Sequence, residues 1–146
     1  MAETEHEQRR LQSLLLQARS YQAALEDMTR QTVLAERALA EISAAIEAVE
    51  NLPKSKEAEA MIPLGAGVFT KAHLAAKDEI IVAAGSGVFI QKTSAETKTY
   101  LEARKRRIEA NNVRLREDAE RINAELEKAT LAAEDLYAKL GPAAGG

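Results

Sequence analysis

Gly65-Ala66-Gly67 and Gly85-Ser86-Gly87 are the motifs of this 146-residue chain that most invite a chemical reading, because glycine-rich loops can cradle phosphates. Neither completes G-x-G-x-x-G, and each is followed by strand-forming Val and Phe rather than by a helix N-terminus whose amides could hold a pyrophosphate. A Walker Gly-Lys-Ser/Thr is missing as well, so these glycines read as turn residues and nucleotide use is not expected. The two histidines, His6 and His73, lack the i, i+4 partner of a helical metal site. Sequence distance leaves a Ser-His-Asp arrangement open, yet no serine occupies a nucleophile turn, and solvated or structural roles suit both histidines better. Cysteine is absent, which removes disulfides, thiolate metal sites and thiol nucleophiles together and fits a reducing compartment. No metal or other cofactor is implied, and the expectation is that the chain is not an enzyme.

Arg104-Lys105-Arg106-Arg107, continued by Arg114 and Arg116, is the one concentrated basic stretch. On a helix these cations spread around the circumference among Glu102, Glu109, Glu117, Asp118 and Glu120, the pattern of a solvated, ion-paired face. No aromatic accompanies the run for base stacking, and a net charge of -3 with a pI near 5.5 supplies no general attraction to nucleic acid or anionic membrane. An acidic partner protein is a second reading of the run. A nucleic-acid accessory role is a third, and it would show as binding that weakens steeply with salt.

The elements that carry these residues follow from composition and punctuation. Alanine supplies 29 residues and only five are aromatic, so the 46% hydrophobic content cannot build a large interlocking core. With 29% charged residues and a mean hydropathy of -0.29, no apolar run approaches the roughly 18 residues needed to cross a bilayer. Met1-Ala2-Glu3-Thr4-Glu5 also lacks the basic-then-apolar pattern of a secretion signal, so a soluble cytoplasmic chain is expected. Glycine and proline are absent from Met1 to Leu52, fall at Pro53, Pro63, Gly65, Gly67, Gly85 and Gly87, and return only at Gly141, Pro142, Gly145 and Gly146. That punctuation predicts a helix over 1–52, a broken segment over 53–93, a second helix over 94–140 and a short tail over 141–146.

In the first long segment Leu11, Leu14, Ala18, Tyr21, Leu25, Met28, Thr32, Ala35, Leu39, Ile42, Ile46 and Val49 alternate three and four residues apart. In the second, Leu101, Lys105, Ile108, Asn112, Leu115, Ala119, Ile122, Leu126, Ala129, Ala133, Leu136 and Leu140 do the same. A mean spacing of about 3.5 keeps one stripe facing a partner helix, the mark of a left-handed coiled coil. Thr32, Lys105 and Asn112 are the polar exceptions. Thr93-Ser94-Ala95-Glu96 offers a capping box for the second helix. Two seams of about 45 residues, each about 70 Å long, joined within one chain pack most economically as an antiparallel hairpin. Small alanines in the seam let the helices approach closely.

Gly65-Ala66-Gly67-Val68-Phe69 recurs 20 positions later as Gly85-Ser86-Gly87-Val88-Phe89, and each copy follows a short apolar run. Gly-X-Gly can adopt the positive φ of a tight turn, so each copy predicts a β-hairpin, with Ala75 to Glu79 connecting them. The fold class is therefore α+β, mainly α: a long antiparallel two-helix coiled coil with two β-hairpins inserted between the helices. Hairpins this small cannot close a core, and their outer strands present unpaired backbone groups. Subunit assembly through Ile62, Leu64, Val68, Phe69, Ile80, Val82, Val88, Phe89 and Ile90 meets both needs. At the other end, Leu15, Leu16, Leu131 and Tyr137 fall off the seam onto faces that a two-helix coil leaves in water. Clustered there, they suggest a binding surface, or else they seat a neighbouring helix or steady a fraying end.

Helix, then Ile62-Pro63-Leu64-Gly65-Ala66-Gly67-Val68-Phe69, then the second Gly-Ser-Gly hairpin, then helix resembles the alpha-subunit family of prefoldin, the co-chaperone of archaea and eukaryotes, over residues 10 to 140. Two hairpins rather than one are the alpha-type feature. The resemblance implies that two alpha subunits associate with each other through their hairpins and with four beta-type subunits in a hexamer. It implies coiled-coil tips that capture unfolded protein clients without ATP and pass them to a group II chaperonin. It also implies that Leu11, Leu14, Leu15, Leu16, Leu131, Leu136, Tyr137 and Leu140 are client contacts. A structural tether whose tips dock one folded partner is the competing expectation.

Overall fold

The computed structural model describes residues 1–53, 58–74 and 79–141. Helix α1 spans Ala2–Glu50 and α2 spans Ser94–Leu140; between them lie β1 (Glu59–Gly65), β2 (Val68–His73), β3 (Ile80–Gly85) and β4 (Val88–Lys92). Of the connector expected at Ala75 to Glu79, positions 75–78 lie outside the described residues, as does the tail from Pro142 onward. Contacts divide the chain into two compact units, one of Met1–Glu36 with Glu109–Gly146 and the other of Arg37–Ile108.

In the first unit the two helices run antiparallel. Lys139 at the end of α2 pairs with Glu7 near the start of α1, and Arg116 pairs with Glu36 at 3.8 Å. Every position that the three-four alternation assigns to the seam of this unit is buried or half-buried, with Leu11, Ala129 and Ala133 the most enclosed apolar residues. Thr32 keeps its hydroxyl within its own helix, donating to Met28 O at 2.9 Å. Asn112 does not resolve its polarity: the residue is 7% exposed, and its Oδ1 is buried with no donor. A buried acceptor left without a donor costs about 1–3 kcal/mol. Asn112→Leu is therefore expected to stabilise the fold by about that amount, read as a rise in the denaturant midpoint at unchanged slope.

The Lys139 ammonium is held above its ordinary 10.5, first by its hydrogen bond to Glu7 and then by the Glu7 charge. In the second unit Glu50 does the same for Lys98, across 2.6 Å. Because both values are raised by folding, their stabilisation is complete below 10.5 and is lost only as pH climbs through the raised values, so neither makes stability pH-dependent near neutrality. The Lys98–Glu50 pair is largely solvent-exposed and in the other pair the Lys139 ammonium is exposed while Glu7 is half-buried, so both are weak.

The second unit holds the helix ends and both hairpins. Thr93 caps α2: its Oγ1 accepts from Glu96 N at 3.1 Å, and its carbonyl accepts from Thr97 N at 2.9 Å and from Thr97 Oγ1 at 2.7 Å. At the other terminus α1 closes where Asn51 Nδ2 donates to Glu47 O at 2.9 Å, just before Pro53. Each hairpin is its own two-stranded antiparallel sheet. In the first, Ile62 faces Thr70 and Pro63 faces Phe69; in the second, Val82 faces Ile90 and Ala83 faces Phe89, and both registers slip at the residue before the turn glycine. Ala66 and Gly67 have φ of 51° and 77°, and Ser86 and Gly87 repeat those values, so both turns carry two consecutive left-handed residues that match strand twist. An added Cβ at Gly67 or Gly87 would meet nothing within 4 Å, so any penalty there is conformational. Gly67→Val with Gly87→Val is expected to cost about 1–3 kcal/mol per site, measured as a lowered melting temperature with helicity retained.

Candidate functional site

Among the described residues no catalytic constellation comes together. Both histidines are exposed, and among the described residues no group of three metal-ligating side chains could hold an ion. Among those residues, too, no helix is long and apolar enough to cross a membrane. Among the described residues two apolar surfaces stand out as candidates.

The first is the pair of hairpins. Residues directly opposite in an antiparallel ladder share a face, so Met61, Pro63 and Phe69 lie together on one face of the first hairpin, and Ile81, Ala83 and Phe89 on the matching face of the second. The other faces carry Ile62 with Thr70, and Val82 with Ile90. Apolar residues on both faces are the pattern of strands covered on two sides. Here Ile62, Leu64, Val68, Phe69, Val88, Phe89 and Ile90 are all exposed, while Ile80 and Val82 are half-buried. Met61 and Ile81 are two further exposed residues of this surface that the sequence reading did not single out, although their place one residue before Ile62 and Val82 put them on the second apolar face.

The second surface lies in the first unit, near the paired ends of α1 and α2. A groove of about 570 Å³ has a floor of seam residues, Leu11, Ala18 and Ala133, and walls made by residues one position past a seam residue: Leu15, Arg19, Gln22, Thr130, Glu134 and Tyr137. Small alanines on the floor hollow it. Leu15 and Tyr137 are 48% and 45% exposed, whereas Leu16 and Leu131, two positions past the seam, are 64% and 54% exposed and do not line the groove. Leu11 is buried in the floor, and Leu14, Leu136 and Leu140 are half-buried within the seam. The groove thus brings together Leu11, Leu15 and Tyr137 of the residues expected from the sequence and adds a polar rim, Arg19 with Glu134, that seam counting alone does not separate from ordinary solvated positions. Val33, Leu34 and Val113 are exposed apolar residues of the same unit that sequence reasoning passed over. They sit one or two positions past the polar seam residues Thr32 and Asn112, which is the signal that could have found them.

The basic run departs from expectation. Arg104, Arg106 and Arg107 are exposed and Lys105 is half-buried, as a solvated face requires, but among the described residues none of the four forms an ion pair. Glu102 and Glu109 stand three or four residues from Lys105 and Arg106, the spacing at which helical side chains meet, yet among the described residues they form no ion pair with them, while Arg104 and Arg107 have no acidic residue at that spacing.

Two long helices sharing a three-four seam, with two apolar-faced hairpins between them, make the chain a coiled-coil protein with inserted β-hairpins. The family model for the prefoldin subunit matches residues 21–139, and the chain belongs to the prefoldin family. It is 31% identical over 129 residues to the prefoldin subunit alpha of Methanospirillum hungatei, covering 88% of this chain and 87% of that one. It is also 33% identical over 106 residues to the prefoldin subunit alpha of Methanococcoides burtonii, covering 72% and 75%. The fold matches a filamentous prefoldin from Methanocaldococcus jannaschii with a TM-score of 0.65 at 15% identity, covering 77% of this chain and 94% of that one. Prefoldin subunits are non-enzymatic chaperone components that assemble into oligomers, and the role of this chain is a chaperone role of the alpha type. Nothing in the fold or the relatives favours a tether for one folded partner.

Proposed function

We propose that this chain captures unfolded proteins in the cytoplasm, without ATP, as the alpha subunit of a hexamer of two alpha and four beta-type subunits, and passes them to a group II chaperonin. Assembly runs through the two hairpins, alpha with alpha and alpha with beta, and clients are held at the groove end of the first unit by Leu15, Leu16, Leu131 and Tyr137 over the floor at Leu11. The observation that carries the reading is exposed apolar surface in two places, the hairpins and the groove of the first unit; the reading gives the first to permanent partners and the second to exchanging ones. Each client contact buries little, at about 25 cal/mol per Å², so a single site holds weakly and lets go without nucleotide. Several linked sites raise effective concentration enough to retain a client.

The test mixes the chain with a beta-type subunit, records the native mass, and then asks whether the complex delays aggregation of several unrelated denatured proteins at near-stoichiometric amounts. A defined complex with broad suppression is the expected result. A compact lone monomer, or protection of one protein only, overturns it.

A further inference from the structure

Neither assembly through the strands nor capture at the groove uses Arg104, Lys105, Arg106 and Arg107. All four lie in the second unit, and among the described residues no carboxylate pairs with them, so an incoming anion would break no existing ion pair. Arg104 and Arg107, three residues apart, share one face of α2, and Tyr100 precedes Arg104 by one turn on that face. There the face runs into a groove of about 530 Å³ between α2 and the end of β4, lined by Lys92, Ala95, Glu96, Thr99, Tyr100 and Ala103. Small side chains at positions 95, 99 and 103 hollow it, and Lys92 Nζ stands 5.6 Å from the centre of the Tyr100 ring. The surface therefore has a direction. Lys92 and Glu96 mark one end with opposite charges, and two guanidinium groups mark the other, about 12 Å along the helix axis from Glu96 to Arg104.

We propose that this face docks an acidic peptide segment of another protein, with an apolar side chain entering the groove beside Tyr100 and carboxylates pairing with Arg104 and Arg107. Guanidinium forks suit carboxylates, which they hold through two parallel hydrogen bonds. At the other end Lys92 and Glu96 offset one another, so the excess positive charge lies at Arg104 and Arg107 and sets the polarity of the peptide. A nucleic acid fits less well. The one aromatic ring here already has a cation over it, a patch of about one helical turn meets few phosphates, and the chain as a whole is negative at -3.

Fluorescence anisotropy on the full chain tests this with a labelled peptide in which a leucine is followed by a run of glutamates, a version with lysines in place of the glutamates, and a short oligothymidylate. The glutamate peptide is expected to bind, with affinity that falls as salt rises, and the lysine peptide is not. Arg104→Gln with Arg107→Gln is expected to weaken binding at least about tenfold with helicity unchanged, whereas Arg9→Gln with Arg10→Gln leaves it as it was. Ala103→Trp, which fills the groove, should weaken the leucine-bearing peptide more than an all-glutamate one. No binding, equal loss in both arginine pairs, or tighter binding of the oligothymidylate overturns the proposal. Suppression of client aggregation is expected to be intact in the Arg104 and Arg107 variant, so the two functions fail separately.

Discussion

Phe69→Asp combined with Phe89→Asp should leave a chain that no longer enters any complex: native mass measurement after mixing with a beta-type subunit should record the variant alone, with its far-ultraviolet helix signal intact. The two rings are 54% and 66% exposed in the isolated chain, on equivalent faces of the two hairpins beside Met61 and Ile81. Little within the chain depends on them, so the helices should persist. In the proposed assembly through the hairpins the same positions are covered. Each substitution forgoes about 2–3 kcal/mol of aromatic burial, and an unpaired carboxylate buried in the interface adds several more. Because every 1.4 kcal/mol is a factor of about ten, the pair should weaken association by more than about a thousandfold. An unchanged mass distribution would show that the hairpins are not the assembly surface.

Loss of chaperone activity with assembly intact is the second large effect, expected for Leu15→Ser with Tyr137→Ser. Both residues wall the groove and are about half exposed, so replacing them with a small polar side chain strips its apolar character without touching the buried floor at Leu11 and Ala133. Client binding at linked sites multiplies small losses: a deficit of about 1–2 kcal/mol per site, repeated over several sites, removes most of the avidity. Aggregation of denatured clients should then proceed nearly as it does without the protein, while the native mass stays that of the unaltered complex. Leu16→Ser with Leu131→Ser is the informative companion, because those residues lie outside the groove. A smaller loss from this pair assigns capture to the groove. Equal losses spread capture over the whole surface of the helix ends, and unaltered suppression in both pairs removes this end of the coil from client binding altogether.

Much of this was legible without coordinates. The seam was readable because a period is a local property: three-four spacing of Leu, Ile and Ala places a stripe on one side of any helix, whatever the partner, and each seam position is shielded in the structure. The hairpins were readable because Gly-X-Gly answers a backbone demand at the turn itself, seen in the positive φ at Ala66, Gly67, Ser86 and Gly87. The end of α2 obeys the same kind of rule, with Gly141 at φ 77° donating its N–H to Tyr137 O at 3.0 Å.

What the amino-acid order determined alone, then, is the set of elements, the face each helix buries and the incompleteness of the strands, since all three depend on residues near one another in the chain. Only the tertiary structure decided that Leu15 and Tyr137 wall one groove while Leu16 and Leu131 stay outside it, that Asn112 Oδ1 is sealed without a donor, and that among the described residues Arg104 to Arg107 form no ion pair. Each of these turns on the relative stagger of two antiparallel helices or on the reach of individual side chains. A repeating seam leaves that stagger undetermined, because sliding one helix by a heptad returns the same stripe to the same face.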